Sequence, residues 1–314
     1  MYRVAVVAVG GNSLIKDKKH QTVPDQYDAI CETVGHVADM IEDGWEVVIT
    51  HGNGPQVGFI LLRSEMARKD MHQVPVDSAV ADTQGAIGYQ FQCALHNEFM
   101  KRGIEKGSVT VVTQVVVDAN DKAFGNPTKP IGPFMEESDA KEREAKDGWA
   151  VMEDAGRGWR RVVASPKPKK IVELDAIRSL VNAGQVVIAV GGGGVPVVED
   201  AQGYRGSAAV IDKDYASGVL AHNLGAEAFV ISTAVEKVYI NFGKPEQKGL
   251  DLVTLAEAKQ YLAEGHFAKG SMAPKVEAVI AFLEAGGKMA VITNPENMGR
   301  ALKGETGTRF VVKR

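Results

Sequence analysis

Residues 4–12 read Val-Ala-Val-Val-Ala-Val-Gly-Gly-Asn, an apolar run that ends abruptly in two glycines. An unbroken run of small and β-branched residues is typical of a strand that is buried on both faces. The arrangement returns at residues 46–54, which end in His-Gly-Asn-Gly, and at residues 186–194, which end in four glycines. Three buried strands that each end in a glycine turn indicate a largely parallel sheet.

Segments with helical periodicity separate these strands and continue to the end of the chain. This alternation predicts an α/β fold in which helices cover a mostly parallel central sheet. The expected helices are 24–43, 55–68, 78–101, 171–183, one from about 214, 255–264 and 274–285, and the later expected strands are 109–117, 160–164, 228–233 and 237–241.

The rhythm breaks between residues 118 and 159, where proline and charged residues increase and no sheet period is visible. We interpret this stretch as an inserted flap or small protruding subdomain. It would belong to an N-terminal lobe, residues 1–210, followed by a C-terminal lobe, residues 211–314. The lobe boundary near Ile211 is placed to within about ten residues.

The composition excludes several classes of protein. The 314 residues are 45% apolar and carry a net charge of -4, and Lys and Arg form no stripe that would suit nucleic acid. No apolar run approaches a membrane span, and no signal peptide pattern follows Met1, so we expect a cytoplasmic protein that contacts neither membrane nor nucleic acid. Cys31 and Cys93 form no CxxC pair and are expected to be reduced, buried thiols.

Glycine turns after strands let backbone N–H groups approach an anion closely. The three turns therefore predict one shared anion site at the carboxyl edge of the sheet. Asn12 and Asn53 follow glycines there and can hydrogen-bond a phosphoryl oxygen, although Asn also simply tolerates left-handed backbone geometry. No Walker A loop and no Gly-x-Gly-x-x-Gly spacing is present.

Phosphoryl transfer needs cations around the transferring group, and three lysines lie at turns or helix starts: Lys129, Lys213 and Lys275. Asp212 and Asp214 flank Lys213, where they either orient its ammonium group or cap a helix. We expect structural roles for His51 and His266, which have no partner with nucleophile or metal-ligand spacing. No set of residues predicts a metal site built from protein ligands alone.

Seven segments together resemble carbamate kinase, a member of the amino acid kinase superfamily, and cover nearly the whole chain in that family's order. They are Val9-Gly-Gly-Asn, His51-Gly-Asn-Gly-Pro-Gln, Asn126-Pro-Thr-Lys-Pro-Ile-Gly, Glu153-Asp-Ala-Gly-Arg-Gly-Trp-Arg-Arg-Val-Val, Gly191-Gly-Gly-Gly-Val-Pro, Ala209-Val-Ile-Asp-Lys-Asp and Gly265-His-Phe-Ala-Lys-Gly-Ser-Met. The resemblance implies a three-layer αβα sandwich around a largely parallel eight-stranded sheet, with the phosphoryl acceptor in the N-terminal lobe and the nucleotide in the C-terminal lobe.

The resemblance also implies roles for individual residues. Lys129, Lys213, Asp212 and Lys275 would be catalytic, with Lys129 in place of the first-strand lysine of related kinases. The substrate would be held by Gly10, Gly11, Asn12, Gly52, Asn53 and Gly54. The nucleotide would be held by Gly191, Gly192, Thr233, Ala234, Val235, Tyr239, Met272, Pro274 and Lys275. Ala234 is a departure, because some members have Asp there.

The implied activity is Mg²⁺-dependent transfer of a phosphoryl group between carbamoyl phosphate and ADP, in arginine or purine-derived carbamoyl catabolism. The alternatives are a related kinase that acts on an amino acid or UMP, a relative that binds ligand without turnover, and a nicotinamide oxidoreductase. The family usually forms homodimers, and the apolar helix 78–101 is the candidate interface, although a core helix has the same pattern.

Overall fold

The computed structural model describes residues 3–11, 14, 15, 17, 19–153 and 158–313. The strands are β1 Arg3–Val9, β2 Trp45–His51, β3 Ser108–Thr110, β4 Gln114–Val117, β5 Lys129–Met135, β6 Ala150–Glu153, β7 Trp159–Val163, β8 Pro168–Ile171, β9 Val186–Ile188, β10 Val195–Asp200, β11 Gly203–Gly206, β12 Ala228–Ser232, β13 Val238–Ile240, β14 Lys248–Leu250, β15 Leu252–Thr254, β16 Met289–Thr293 and β17 Thr308–Val311. The helices are α1 Val23–Glu42, α2 Gly54–Met66, α3 Val76–Arg102, α4 Lys122–Gly125, α5 Glu137–Asp147, α6 Leu174–Asn182, α7 Lys213–Leu224, α8 Leu255–Ala263, α9 Met272–Glu284 and α10 Met298–Lys303.

The central sheet has eight strands in the order β15-β17-β16-β12-β1-β2-β9-β3. Its neighbouring strands are parallel except for β16 and β17, which run antiparallel. Strand β1 is buried from Ala5 to Val9 and β2 along its whole length, as an unbroken apolar run requires. The predicted α/β fold with a mostly parallel sheet is confirmed.

Two apolar cores lie on opposite faces of this sheet. One contains side chains of α1, α3 and α10, such as Ile30, Phe91 and Met298. The other contains side chains of α6, α7, α8 and α9, including Leu220 and Phe282. The three layers of helix, sheet and helix follow from helices that each bury one apolar stripe against the sheet.

The first and last parts of the chain meet in the middle of the sheet, where β1 pairs with β12 from Ala5–Ala228 to Val9–Ser232. Strands β1, β2, β9 and β3 lie to one side of that pairing and β12, β16, β17 and β15 to the other. The lobe boundary near Ile211 stays a prediction.

The stretch 118–159 contains more regular structure than its sequence indicated. Strands β5, β7 and β6 form a three-stranded antiparallel sheet, and α5 packs on it. The strand expected at 160–164 is β7 of this subdomain and not a return to the main sheet. Pro130 and Gly132 interrupt β5, and most of this thin sheet is partly exposed, so no period-2 pattern arises.

A second sheet has the order β11-β10-β4-β8 and corrects two expectations. The single strand expected at 109–117 is divided, because β3 pairs with β9 in the central sheet while β4 pairs with β10 and β8 in this one. The helix expected from residue 171 begins at Leu174, since Ile171 pairs with Val115. No helix within the described ranges is long and apolar enough to cross a bilayer.

Candidate active site

Three parallel strands end side by side at one edge of the central sheet. Val9 of β1 is aligned with His51 of β2 and with Ser232 of β12, so the turns that follow them are neighbours. A Cβ atom on Gly10 would lie 2.8 Å from the Ser232 carbonyl oxygen, which only glycine allows. Gly11, Gly52 and Gly54 occupy the same edge. Asn12, the other residue predicted there, lies outside the described residues.

The third glycine turn, Gly191–Gly194, follows β9 and packs against the second. A Cβ on Gly192 would lie 2.0 Å from the Asn53 amide nitrogen, and one on Gly191 would lie 2.5 Å from Nε2 of His51. Gly191 and Gly192 are therefore beside the turn predicted to hold the substrate. Their predicted contact with the nucleotide stays a prediction.

Three lysines and two aspartates form a cluster at the start of α7. Asp212 caps this helix by accepting a 3.0 Å hydrogen bond from the Asp214 backbone N–H, and it accepts a second 3.0 Å bond from Nζ of Lys129. Asp214 accepts hydrogen bonds from Nζ of Lys213 and, at 2.9 Å, from Nζ of Lys275. The capping and orienting roles weighed for these acids from the sequence coexist.

The Lys213 and Asp214 side chains of this cluster are largely buried. The Asp214 side chain is 5% exposed, and although burial opposes its ionisation, Lys213 and Lys275 lower its pKa to about 2. Burial lowers the pKa of Lys213 below its ordinary value, against the attraction of Asp214. Three cations against two carboxylates leave one positive charge, and an arriving phosphoryl group would favour the charged ammonium of Lys213.

The lysine cluster faces the glycine turns. The Cδ atom of Lys213 would be 3.5 Å from a Cβ on Gly52, so the lysine side chain runs directly beside that turn. Backbone amides and ammonium groups thus converge on one edge of the sheet. Such a constellation can stabilise charge on a transferring phosphoryl group without forming a covalent bond to it.

Apart from Gly191 and Gly192, the residues predicted to bind nucleotide follow the carboxyl end of β12 or lie in the first turn of α9. Thr233 donates its backbone N–H to the Thr293 carbonyl at 2.8 Å, and Ala234 is exposed beside it. Met272, Pro274 and Lys275 lie in the first turn of α9, and Lys275 joins them to the aspartate cluster. Val235 and Tyr239 flank the start of β13.

His51 is fully buried and stacks on Phe91 with ring centroids 6.0 Å apart. Burial lowers its pKa to about 4, and the positive charge of Lys213 adds to that shift, so the imidazole is neutral at pH 7. Its Nδ1 lies 2.9 Å from the Gly52 carbonyl, which orients the ring against the second turn. The structural role predicted for His51 agrees with this environment.

The sequence reasoning missed Thr83, Gln84 and Thr113, which hydrogen-bond to the second and third turns. Thr83 and Gln84 could have been noticed in the sequence as a polar pair within the apolar stripe of α3, between Val80 and Ile87. Among the described residues, no group of three or more His, Cys, Asp or Glu side chains is placed to hold a metal ion.

The sequence profile of the Amino acid kinase family matches residues 3–294. The chain belongs to the amino acid kinase family. Within this family it is 51% identical to the carbamate kinase-like protein YahI of Escherichia coli, over 99% of both chains. It is 50% identical to the carbamate kinase of Thermococcus kodakarensis, over 98% of both chains.

A solved structure of another family member has the same fold. The carbamate kinase of Giardia lamblia bound to AMP-PNP superimposes with a TM-score of 0.94 at 39% identity, covering 99% of this chain and 98% of that one. The predicted kinship with carbamate kinases and the predicted fold are confirmed.

Proposed function

We propose that this member of the amino acid kinase family is a carbamate kinase that transfers a phosphoryl group between carbamoyl phosphate and ADP. The observation that carries the proposal is the cluster of Lys129, Lys213 and Lys275 beside three glycine turns, in a chain about half identical to carbamate kinases over its length. Because carbamoyl phosphate is a high-energy acyl phosphate, the favoured direction is ATP formation.

The acyl phosphate binds at the glycine turns, where backbone N–H groups of Gly10, Gly11 and Gly54 approach its oxygens. Gly52 lies at the same turn, but its N–H donates to the Val9 carbonyl at 3.0 Å, so it contributes the space that a side chain would fill. Lys213, which runs beside Gly52, neutralises the transferring phosphoryl group during in-line attack by the ADP oxygen. Lys129 enters from β5 and neutralises charge on the acyl side, while Asp212 holds its ammonium group in place. Lys275, at α9, meets the nucleotide phosphates.

We further propose that Mg²⁺ takes part, held by nucleotide phosphates and Asp212. Mg²⁺ sites of this kind use one or two carboxylates plus substrate phosphates, so the lack of a larger acidic cluster among the described residues does not conflict with it. Asp212 fits better than Asp214, because its side chain is 22% exposed against 5% and only one of its oxygens contacts a lysine, whereas both oxygens of Asp214 do. The ion, when bound, supplies charge neutralisation between phosphate oxygens.

A homodimer and a role in arginine or purine-derived carbamoyl catabolism are also part of the proposal. They rest on the resemblance to carbamate kinases and not on contacts within the chain. The cytoplasmic location expected from the sequence remains a prediction.

The test is ATP formation from carbamoyl phosphate, ADP and Mg²⁺, coupled to hexokinase, with acetyl phosphate as the control donor. Rapid turnover that is specific for carbamoyl phosphate is the expected result. A folded protein that turns over acetyl phosphate equally, or turns over neither donor, would overturn the proposal in favour of another small-acid kinase or a ligand-binding relative.

A further inference from the structure

The third glycine turn begins with a residue in an unfavourable backbone conformation. Val190 is fully buried and has a φ of 53°, in the left-handed region that β-branched residues rarely adopt. Gly192, Gly193 and Gly194 follow with φ between 66° and 89°. A conformation of this kind persists only where the surrounding structure holds it, and such positions cluster at functional sites.

Gln84 of α3 makes three hydrogen bonds that hold this turn. Its amide nitrogen donates to the Gly191 carbonyl at 2.9 Å and to the Thr113 carbonyl at 3.1 Å, and its amide oxygen accepts from the Thr113 backbone N–H at 2.8 Å. The side chain is 1% exposed. A buried glutamine with its oxygen and both amide hydrogens engaged has one allowed orientation.

The neighbours of Gln84 extend the same network. Thr113 accepts a 3.0 Å hydrogen bond from the Val190 backbone N–H through its hydroxyl oxygen. Thr83 accepts a 2.8 Å bond from the Asn53 amide nitrogen and donates its hydroxyl to the Val80 carbonyl. Thr83 and Gln84, adjacent on α3, thus fix the second and the third turn together.

The third glycine turn also contacts the segment that carries Lys213. A Cβ on Gly193 would lie 2.4 Å from the Ile211 carbonyl oxygen, so the two backbones are in direct contact. Ile211 immediately precedes Asp212 and Lys213. A change in the turn would therefore displace the start of α7 as well as its own amides.

We propose that Thr83, Gln84 and Thr113 form a positioning latch that sets the third glycine turn and Asn53 for the acyl phosphate. These residues act through the turns, since each contacts backbone or Asn53 and none belongs to the lysine–aspartate cluster. The kinetic part of this inference rests on the proposed function, whereas the conformational part does not.

The first variant is Gln84→Met, which keeps the volume of the side chain and removes its hydrogen bonds. Its matched control is Gln92→Met on the same helix, where the amide donates at 3.1 Å to the Ser108 carbonyl, away from the turns. Hydrogen–deuterium exchange of backbone amides 189–195, which needs no turnover, is expected to quicken about tenfold or more in Gln84→Met and to stay at the wild-type rate in Gln92→Met.

The second measurement separates positioning from general destabilisation. In Gln84→Met, KM for carbamoyl phosphate is expected to rise about tenfold while KM for ADP stays within about twofold, at a temperature where both variants are folded. If Gln84→Met does not fold, Thr83→Val and Thr83→Ser serve instead. The valine variant is expected to raise KM for carbamoyl phosphate, and the serine variant, which keeps the hydroxyl, to restore it.

Unchanged exchange in residues 189–195 of Gln84→Met, or equal acceleration in Gln92→Met, would overturn the proposal. So would equal increases in both KM values, or no difference between the Thr83 variants. A wild-type protein without turnover would overturn the proposed reaction, and the exchange rates alone would then decide whether the latch exists.

Discussion

Lys213 shows what one buried charge contributes. We expect Lys213→Ala to lower turnover by about two orders of magnitude or more, because removing one stabilising charge from a preorganised site costs roughly 3 kcal/mol in the transition state. Asp214 would keep Lys275 as its partner, so the fold should persist. Steady-state kinetics of ATP formation and a thermal melt measure the two effects.

The control for that substitution is Lys146→Ala, which removes an exposed lysine of α5 that forms an ion pair with Glu142 one turn earlier. Its turnover should equal that of the wild type. Wild-type turnover in Lys213→Ala would remove this lysine from the mechanism.

His51 makes stability depend on pH. Its pKa in the folded protein, about 4, is below the ordinary value of 6.5, so the unfolded chain binds a proton at a pH where the folded protein does not. The stabilisation is complete above pH 6.5 and is lost as pH falls toward 4, amounting to about 2 kcal/mol between pH 7 and pH 5. Urea unfolding at both pH values measures this loss.

The matched variant is His51→Gln, which is uncharged throughout this range. Other titrating groups are common to both proteins, so the difference between their pH responses isolates the imidazole. Equal losses of unfolding free energy in the two proteins would show that His51 titrates normally in the fold.

At the residue scale, the placement of the glycines at strand ends and of the lysines at element starts could be predicted from the sequence, because these are local features. Asp212 was recognised because it lies beside Lys213, but its bond to Lys129, which is 83 residues away, was not. Gln84 was missed for the same reason, since its partners at Thr113 and Gly191 come from distant segments. Spacing along the chain carries no information on such pairings.

Among the elements, the contact between α2 and β5 sets the position of Lys129. A Cβ on Gly58 would lie 3.4 Å from Cα of Gly132, in van der Waals contact, so no room remains there for a side chain larger than a methyl group. We expect Gly58→Val to push β5 outward and to lower turnover roughly tenfold to a hundredfold, because displacements of about 1 Å can have effects of that size. Turnover and circular dichroism together measure the result.

Gly58→Ala is the control for that substitution. A methyl group at 3.4 Å is tolerated, and alanine favours the helix over glycine by up to about 1 kcal/mol. Turnover should therefore be retained in Gly58→Ala. A Gly58→Val protein with full activity would show that the subdomain can pack differently on α2 without moving Lys129.

Element identities in the central sheet were predictable because buried parallel strands and amphipathic helices have strong patterns. The strands within the subdomain were not predictable, because β5 contains Pro130 and Gly132 and its sheet has little buried surface. The division of residues 108–117 into β3 and β4 was also not predictable, since β-branched residues continue through both strands and only the change of partner separates them.

For the whole molecule, α3 is both core helix and candidate interface. Its residues from Val76 to Phe99 include an extensive buried set, while Tyr89 and Met100 on another face are 68% and 66% exposed. If this face forms the dimer, Tyr89→Glu should lower the sedimentation mass toward the 33.6 kDa of one chain. Met66→Glu, at an exposed position on α2, is the control.

A Tyr89→Glu protein that keeps the wild-type mass would place the interface elsewhere, and a wild-type protein that sediments at the mass of one chain would exclude the dimer.

The subdomain leaves from β4 and returns to β8, and these two strands are hydrogen-bonded neighbours. Everything from residue 118 to residue 167 is thus the elaborated loop of one hairpin, with its two ends close together. Insertions whose ends lie close together cost the host fold little. In evolutionary terms, a segment with adjacent ends can be gained or lost in one recombination event, and Lys129, together with the role proposed for it, would be gained or lost with it.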